Sequence, residues 1–78
     1  MKRKVYLTFP QNLIQEPLIY EVGHKFDVIT NIRSASVTEE IGLVGLEFEG
    51  DAAEIEKATD YLKLKGVKVE RVEMHVVE

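Results

Sequence analysis

The chain contains no cysteine, which excludes disulfide staples and thiolate metal sites and suits a reducing compartment. It also lacks a long apolar run. The basic start Met1-Lys2-Arg3-Lys4 passes straight into the alternating Val5-Tyr6-Leu7-Thr8-Phe9, so neither a signal peptide nor a membrane span can be read there. A soluble cytoplasmic protein is expected. An excess of positive charge is missing too: ten basic residues against fourteen acidic ones leave a net charge of −4, and no uniform field exists to draw in phosphate backbones. Nucleic acid is therefore not an expected partner. No glycine-rich phosphate loop ending in Gly-Lys-Ser or Gly-Lys-Thr occurs, which excludes ATP hydrolysis by that route. His24 and His75 are far apart, and neither has a second His or Cys at ligand spacing. No metal and no other cofactor is expected.

What is present is an ordinary globular composition, 45% hydrophobic and 31% charged over 78 residues. That length suits one domain spanning residues 1–78, burying about 60–65% of its unfolded surface. Lys4 to Phe9 alternates with period two, placing Val5, Leu7 and Phe9 on one face of a first strand and Lys4, Tyr6 and Thr8 on the other. Pro10 ends that strand. Pro17 sits where its fixed φ and missing N–H are harmless, at the start of a short helix expected from about Glu16 to Lys25 with Leu18, Ile19 and Val22 as its apolar stripe.

The next apolar residues, Val28, Thr30 and Ile32, share one parity, and Ala35 and Val37 take the other. That switch predicts a bulge near Arg33-Ser34 in a second strand. Thr38 to Gly42 reads as a turn, followed by a third strand in which Val44, Leu46 and Phe48 alternate with Leu43, Gly45, Glu47 and Glu49. Asp51 and Glu54 have the spacing of a capping box, Ala52, Ile55, Ala58 and Leu62 recur at helical spacing, and Gly66 suits a left-handed stop. Val67 and Val69, then Val72, Met74 and Val76, supply a fourth strand with a parity change near Arg71.

The order is βαββαβ, without linkers, low-complexity tracts or sequence repeat. Right-handed crossovers place both helices on one face of a four-stranded antiparallel sheet, giving an α+β, ferredoxin-like two-layer sandwich with the first and third strands central. The other face stays uncovered. By parity it carries Tyr6, Thr8, Asn31, Leu43, Gly45 and Glu47, with Lys68 and Glu70 nearby, and Gly45 is expected to let another backbone or a ligand approach closely. Burying Leu43 and its apolar neighbours gains roughly 25 cal/mol per Å², so a homodimer through the sheet surface or edge is expected.

Asn31 is the sharpest functional clue, because strands disfavour Asn while a carboxamide both donates and accepts hydrogen bonds. Two readings stand: contact with a small polar ligand, or a bond to a bulged backbone or an interface water. Arg33 beside it suits a bidentate carboxylate or serves as a charged guard on an edge strand. Tyr6 is placed to flank a ligand on the same face. The acidic pairs Glu39-Glu40 and Glu47 with Glu49 have no partner base, so no catalytic pair is assigned. Acylphosphatases on the same fold pair a second-strand Asn with an Arg in a phosphate-cradling first loop; Pro10-Gln11-Asn12-Leu13-Ile14 has neither Gly nor Arg. RNA-binding modules of this fold display aromatics on the central strands, where this chain shows Leu43, Gly45 and Glu47.

Thr8-Phe9-Pro10, Val28-Ile29-Thr30-Asn31-Ile32 with Ala35, the run Gly42 to Gly50 followed by Asp51, and Ala58, Tyr61-Leu62 and Gly66-Val67-Lys68-Val69-Glu70 together resemble the NIL domain. The resemblance covers nearly the whole chain. It implies an ACT-like ferredoxin fold and a non-enzymatic domain that binds a small amino acid such as methionine in connection with ABC-type import, with Asn31, Ile32 and Arg33 at the ligand. The Asn-Ile-Leu run that names the family here reads Asn31-Ile32-Arg33, exchanging an apolar contact for a charged one. Similar segments precede ferredoxin parts in some prokaryotic proteins. A protein-interaction module serving a transporter or an iron–sulfur ferredoxin partner is the alternative reading.

Overall fold

Alternation of apolar and polar residues decides which side of each strand is buried. In the computed structural model, which describes residues 1–72, β1 (Lys2–Pro10) leads through a 3-10 turn (Gln11–Leu13) to α1 (Leu18–Lys25). Then come β2 (Val28–Val37), β3 (Ile41–Gly50), α2 (Ala52–Lys65) and β4 (Lys68–Arg71). The four strands form one antiparallel sheet in the order β2-β3-β1-β4. Val5, Leu7 and Phe9 of β1 and Val44, Leu46 and Phe48 of β3 point to one side, where they meet Leu18 and Val22 of α1 and Ile55, Ala58 and Leu62 of α2. This is the two-layer α+β sandwich with β1 and β3 central that the sequence predicts. Truncating Leu7, Leu46, Ile55 or Leu62, each almost fully buried, to alanine costs about 2–5 kcal/mol.

The local departures have identifiable causes. Helix α1 begins at Leu18 rather than near Glu16, because Pro17 takes the capping position and the Leu18 N–H donates to the Glu16 carbonyl at 2.8 Å. The 3-10 turn was not foreseen; it drives Leu13 into the core. The link between β2 and β3 is shorter than expected. The Thr38 hydroxyl accepts the N–H groups of Glu40 (3.2 Å) and Ile41 (3.1 Å), closing the turn so that β3 starts at Ile41. In β2 the register skips between Ile32, opposite Leu46, and Ser34, opposite Gly45, so Arg33 is the extra residue of the bulge. The expected fourth-strand residues Met74 and Val76, and His75, lie outside the described residues.

Helix α2 corrects one expectation. Asp51 is its N-cap, but no capping bond runs from the Asp51 side chain. Glu54 turns away from the helix start: Oε1 accepts the Asp27 backbone N–H at 2.9 Å and Oε2 accepts from Lys57 Nζ at 3.1 Å. A donor ahead of β2 outcompetes the helix's own, so Glu54 ties α2 to the segment entering β2. The Asp27 N–H, then Lys57, hold the Glu54 carboxyl below its ordinary value of 4.5. Ala52, expected in the apolar stripe, is exposed, and Thr59 is buried instead, its hydroxyl donating to the Ile55 carbonyl at 2.8 Å. At the other end Gly66 adopts φ 110°, and the N–H groups of Gly66 and Val67 donate to the Lys63 and Leu62 carbonyls, each at 3.0 Å. Only glycine enters that region without a Cβ penalty. The Tyr61 hydroxyl donates to Glu21 Oε1 at 2.9 Å, joining the helices, and this bond to a carboxylate raises the phenol above its ordinary value.

Gly45 has a different role from the one expected. A Cβ there would lie 2.5 Å from Ser34 Oγ and 3.4 Å from the Tyr6 ring, so the chain's own side chains already use the space a side chain would fill. Gly45→Ala is expected to destabilise by roughly 1–3 kcal/mol, and Ser34→Ala in the same chain to recover part of the loss; urea denaturation of the four combinations measures this, and strict additivity would refute the contact. Glu54 yields a pH prediction. Its folded pKa is lowered, so its contribution is present above about pH 4.5 and is lost as pH falls through the lower folded value. The stability gap between wild type and Glu54→Gln should narrow in that acid range, and a gap that persists unchanged would contradict the tether.

Candidate ligand and partner surface

The uncovered face is organised in rows across the strands. Lys4 of β1 lies opposite Glu47 of β3, which lies opposite Asn31 of β2. The next row runs from Glu70 through Tyr6 and Gly45 to Ser34, and the next from Lys68 through Thr8 and Leu43 to Ser36. Parity switches at the bulge. Before it Asn31 faces outward, and after it Ser34 and Ser36 do, while Ala35 and Val37 turn to the helix side.

Asn31 is exposed, and among the described residues its carboxamide makes no hydrogen bond. The reading in which the Asn31 amide bonds a bulged backbone finds no such bond among the described residues. Arg33, freed from the ladder, turns toward Glu47, with Nη1 at 3.6 Å from Oε1. That distance is too long for a hydrogen bond, and the Arg33 side chain is 52% exposed, so the pair is a loose one that an incoming carboxylate can open. Ile32 lies opposite the buried Leu46 and so on the helix side, yet it is 55% exposed because no helix reaches it. Asn31 and Ile32 therefore project from opposite faces of one edge strand.

Tyr6, 56% exposed, stands one row away from Asn31 with β3 between them. It comes together with Arg33 in a depression of about 310 Å³ that Lys4, Ser34 and Gly45 also line. A neighbouring hollow of about 350 Å³ runs along Tyr6, Thr8, Ser34, Ser36, Leu43 and Glu70. Neither hollow is lined by Asn31 or Ile32. The face thus carries cations (Lys4, Arg33), carboxylates (Glu47, Glu70), hydroxyls and an aromatic ring within three rows, a set able to meet both charges of a zwitterion. Ser34 and Ser36 were not singled out from sequence, although the parity switch that reveals the bulge is the signal that turns them outward.

A third cavity, about 220 Å³ and mainly apolar, opens on the helix side between the start of α1 and the end of the β2–β3 hairpin. Phe9, Ile14, Ile19, Tyr20, Val37 and Val44 line it. Among the described residues no group of three or more His, Cys, Asp or Glu is placed to hold a metal, and no helix is long and apolar enough to cross a membrane. His24 stacks on Tyr20 with ring centroids 5.5 Å apart.

Comparison with known proteins agrees with the fold. The NIL domain family matches residues 3–71. Methionine import ATP-binding protein MetN 1 of Listeria innocua is 36% identical over 74 residues, and its counterpart from Listeria monocytogenes serotype 4b is 35% identical over the same length. Each match covers 90% of this chain and 22% of the relative, so the chain spans about a fifth of the length of the curated relatives it matches. The crystal structure of the C-terminal domain of an ABC transporter ATP-binding protein from Enterococcus faecalis superimposes with a TM-score of 0.80 at 18% identity, covering 94% of this chain and 86% of that one; it shares the fold. With the match extending from β1 to the last residue of β4, the chain belongs to the NIL domain family.

Proposed function

We infer that the chain is a non-enzymatic regulatory domain that binds a small amino acid, methionine-like in character, in connection with ABC-type import. The observation that carries this reading is the exposed carboxamide of Asn31 on the uncovered sheet face, without a hydrogen-bond partner among the described residues, in a chain whose relatives are named for methionine import. Asn31, Ile32, Arg33 and Tyr6 are the residues assigned to the ligand. The Asn31 amide both donates and accepts, and so suits either end of an amino acid. Arg33 takes the carboxylate by exchanging it for Glu47, which is then free for the ammonium group. Tyr6 supplies an apolar flank.

The geometry also favours a second reading. Neither Asn31 nor Ile32 lines one of the hollows on the open face, and three large apolar side chains of β2 are exposed, as in a module that contacts another protein and no small ligand. A transporter subunit or an iron–sulfur ferredoxin protein is the partner class in that case. Isothermal titration against a panel of amino acids separates the two. Sensing predicts heat with methionine and a loss of affinity of about 1–3 kcal/mol in Asn31→Ala, whereas silence across the whole panel overturns the ligand reading and leaves the interaction module.

A further inference from the structure

We propose that the hollow between Tyr6 and Arg33 on the open sheet face is a site for a small dianionic oxyanion, inorganic phosphate or the phosphate group of a small organic monoester, bound by Lys4, Arg33 and the hydroxyls of Tyr6 and Ser34. The site does not rest on the amino-acid reading. Lys4 and Ser34 have no part in that reading, and Asn31 does not line this hollow.

Strand register and the bulge bring these residues together. Lys4 and Tyr6 share a parity on β1 and bound the hollow from one side. β2 runs about 10 Å away, two strand spacings across β3, a gap that an extended Lys and an extended Arg side chain close from its two sides. On β2 the bulge takes Arg33 out of the ladder and sets Ser34 opposite Gly45, on the open face. Gly45 supplies a floor without a side chain, and the Ser34 hydroxyl and the edge of the Tyr6 ring close in over it.

The chemistry of the lining selects an anion. Four side chains with donor groups surround the hollow, and among the described residues none of the four makes a hydrogen bond. The ion pair of Arg33 is the loose one to Glu47 at 3.6 Å, and among the described residues Lys4 has none. The carboxylates of this face stand outside the lining. Glu47 flanks the hollow, Glu70 reaches toward Lys68 at 3.9 Å and lines the neighbouring hollow, and Glu49 lies farther out, opposite Lys2. Two cations with no carboxylate between them form a local positive site in a chain of net charge −4. Two positive charges match a dianion better than a monocarboxylate, and the two hydroxyls donate to oxygens that the cations leave free. At about 310 Å³ the hollow has room beyond a single tetrahedral ion. It adjoins the hollow of about 350 Å³ along Thr8, Ser36 and Leu43, where the body of a monoester would lie.

NMR titration of the isotope-labelled chain tests the site, with potassium phosphate against potassium chloride at matched ionic strength and at about pH 8, where phosphate carries nearly two charges. Phosphate should produce saturable shifts at Tyr6, Ser34 and Gly45 that chloride does not. Lys4→Met and Arg33→Leu should each weaken binding at least about tenfold, Asn31→Ala should leave it unchanged, and Glu47→Gln should tighten it by removing the carboxylate that competes for Arg33. These side chains lie outside the core, and circular dichroism verifies that each variant folds. Adenosine monophosphate is the second arm: tighter binding than inorganic phosphate, with added shifts at Thr8 and Leu43, assigns the monoester, and equal affinity assigns the free ion. Shifts that never saturate, that chloride or acetate reproduces, or that persist in both Lys4→Met and Arg33→Leu would overturn the site. Saturable phosphate binding by a chain silent toward methionine would overturn the amino-acid reading and leave this site standing.

Discussion

One constraint governs the molecule: two short helices can cover only one face of a four-stranded sheet. The burial of Phe48, Leu46, Leu7 and Val5 beneath Ile55, Leu62, Leu18 and Val22 satisfies the core, and it leaves everything on the opposite parity to water or to a partner. Tyr6, Leu43 and Asn31 are exposed for that reason alone, before any question of function arises. The same constraint falls short sideways. The helices cover little of the far half of β2, so even its helix-side residues Ile32 and Val37 remain more than half exposed.

The bulge is where these two shortfalls meet. By dropping Arg33 out of the ladder it sends the residues on either side of it to opposite parities, releases a guanidinium to sit near Glu47, and places Ser34 against the space that Gly45 leaves open. One extra residue thereby shapes the hollow shared by Tyr6 and Arg33. Bulges commonly re-aim side chains next to functional sites, and here the re-aimed residues include Arg33, the position at which this chain departs from the Asn-Ile-Leu pattern.

Much of this was legible in the sequence, and the reasons are specific. Period-two alternation in β1 and β3 identified the buried face residue by residue, because each of those strands has one face in the core. Gly66 marked the end of α2 correctly, since its backbone geometry leaves little choice, whereas Pro17 placed the start of α1 only to within two residues. What escaped depended on contacts remote in sequence. Asp51 and Glu54 match a capping box locally, but a backbone donor at Asp27 takes the Glu54 carboxylate. The space above Gly45 looked open until the register brought Ser34 over it. Tyr6 and Asn31 share a parity, yet only the strand order shows β3 between them. Single-strand patterns reveal faces; they do not reveal which row of the sheet a residue occupies.

The account's central claim is that β2 is the functional strand because the fold leaves it uncovered. Residue-resolved amide hydrogen exchange tests this directly. Without ligand, the amides of β1 and β3 should approach the protection of global unfolding while the outward-facing amides of β2 exchange fast, and adding methionine should slow β2 selectively. If β2 is as protected as β1 and β3 from the outset, or stays fast with methionine, the claim is wrong.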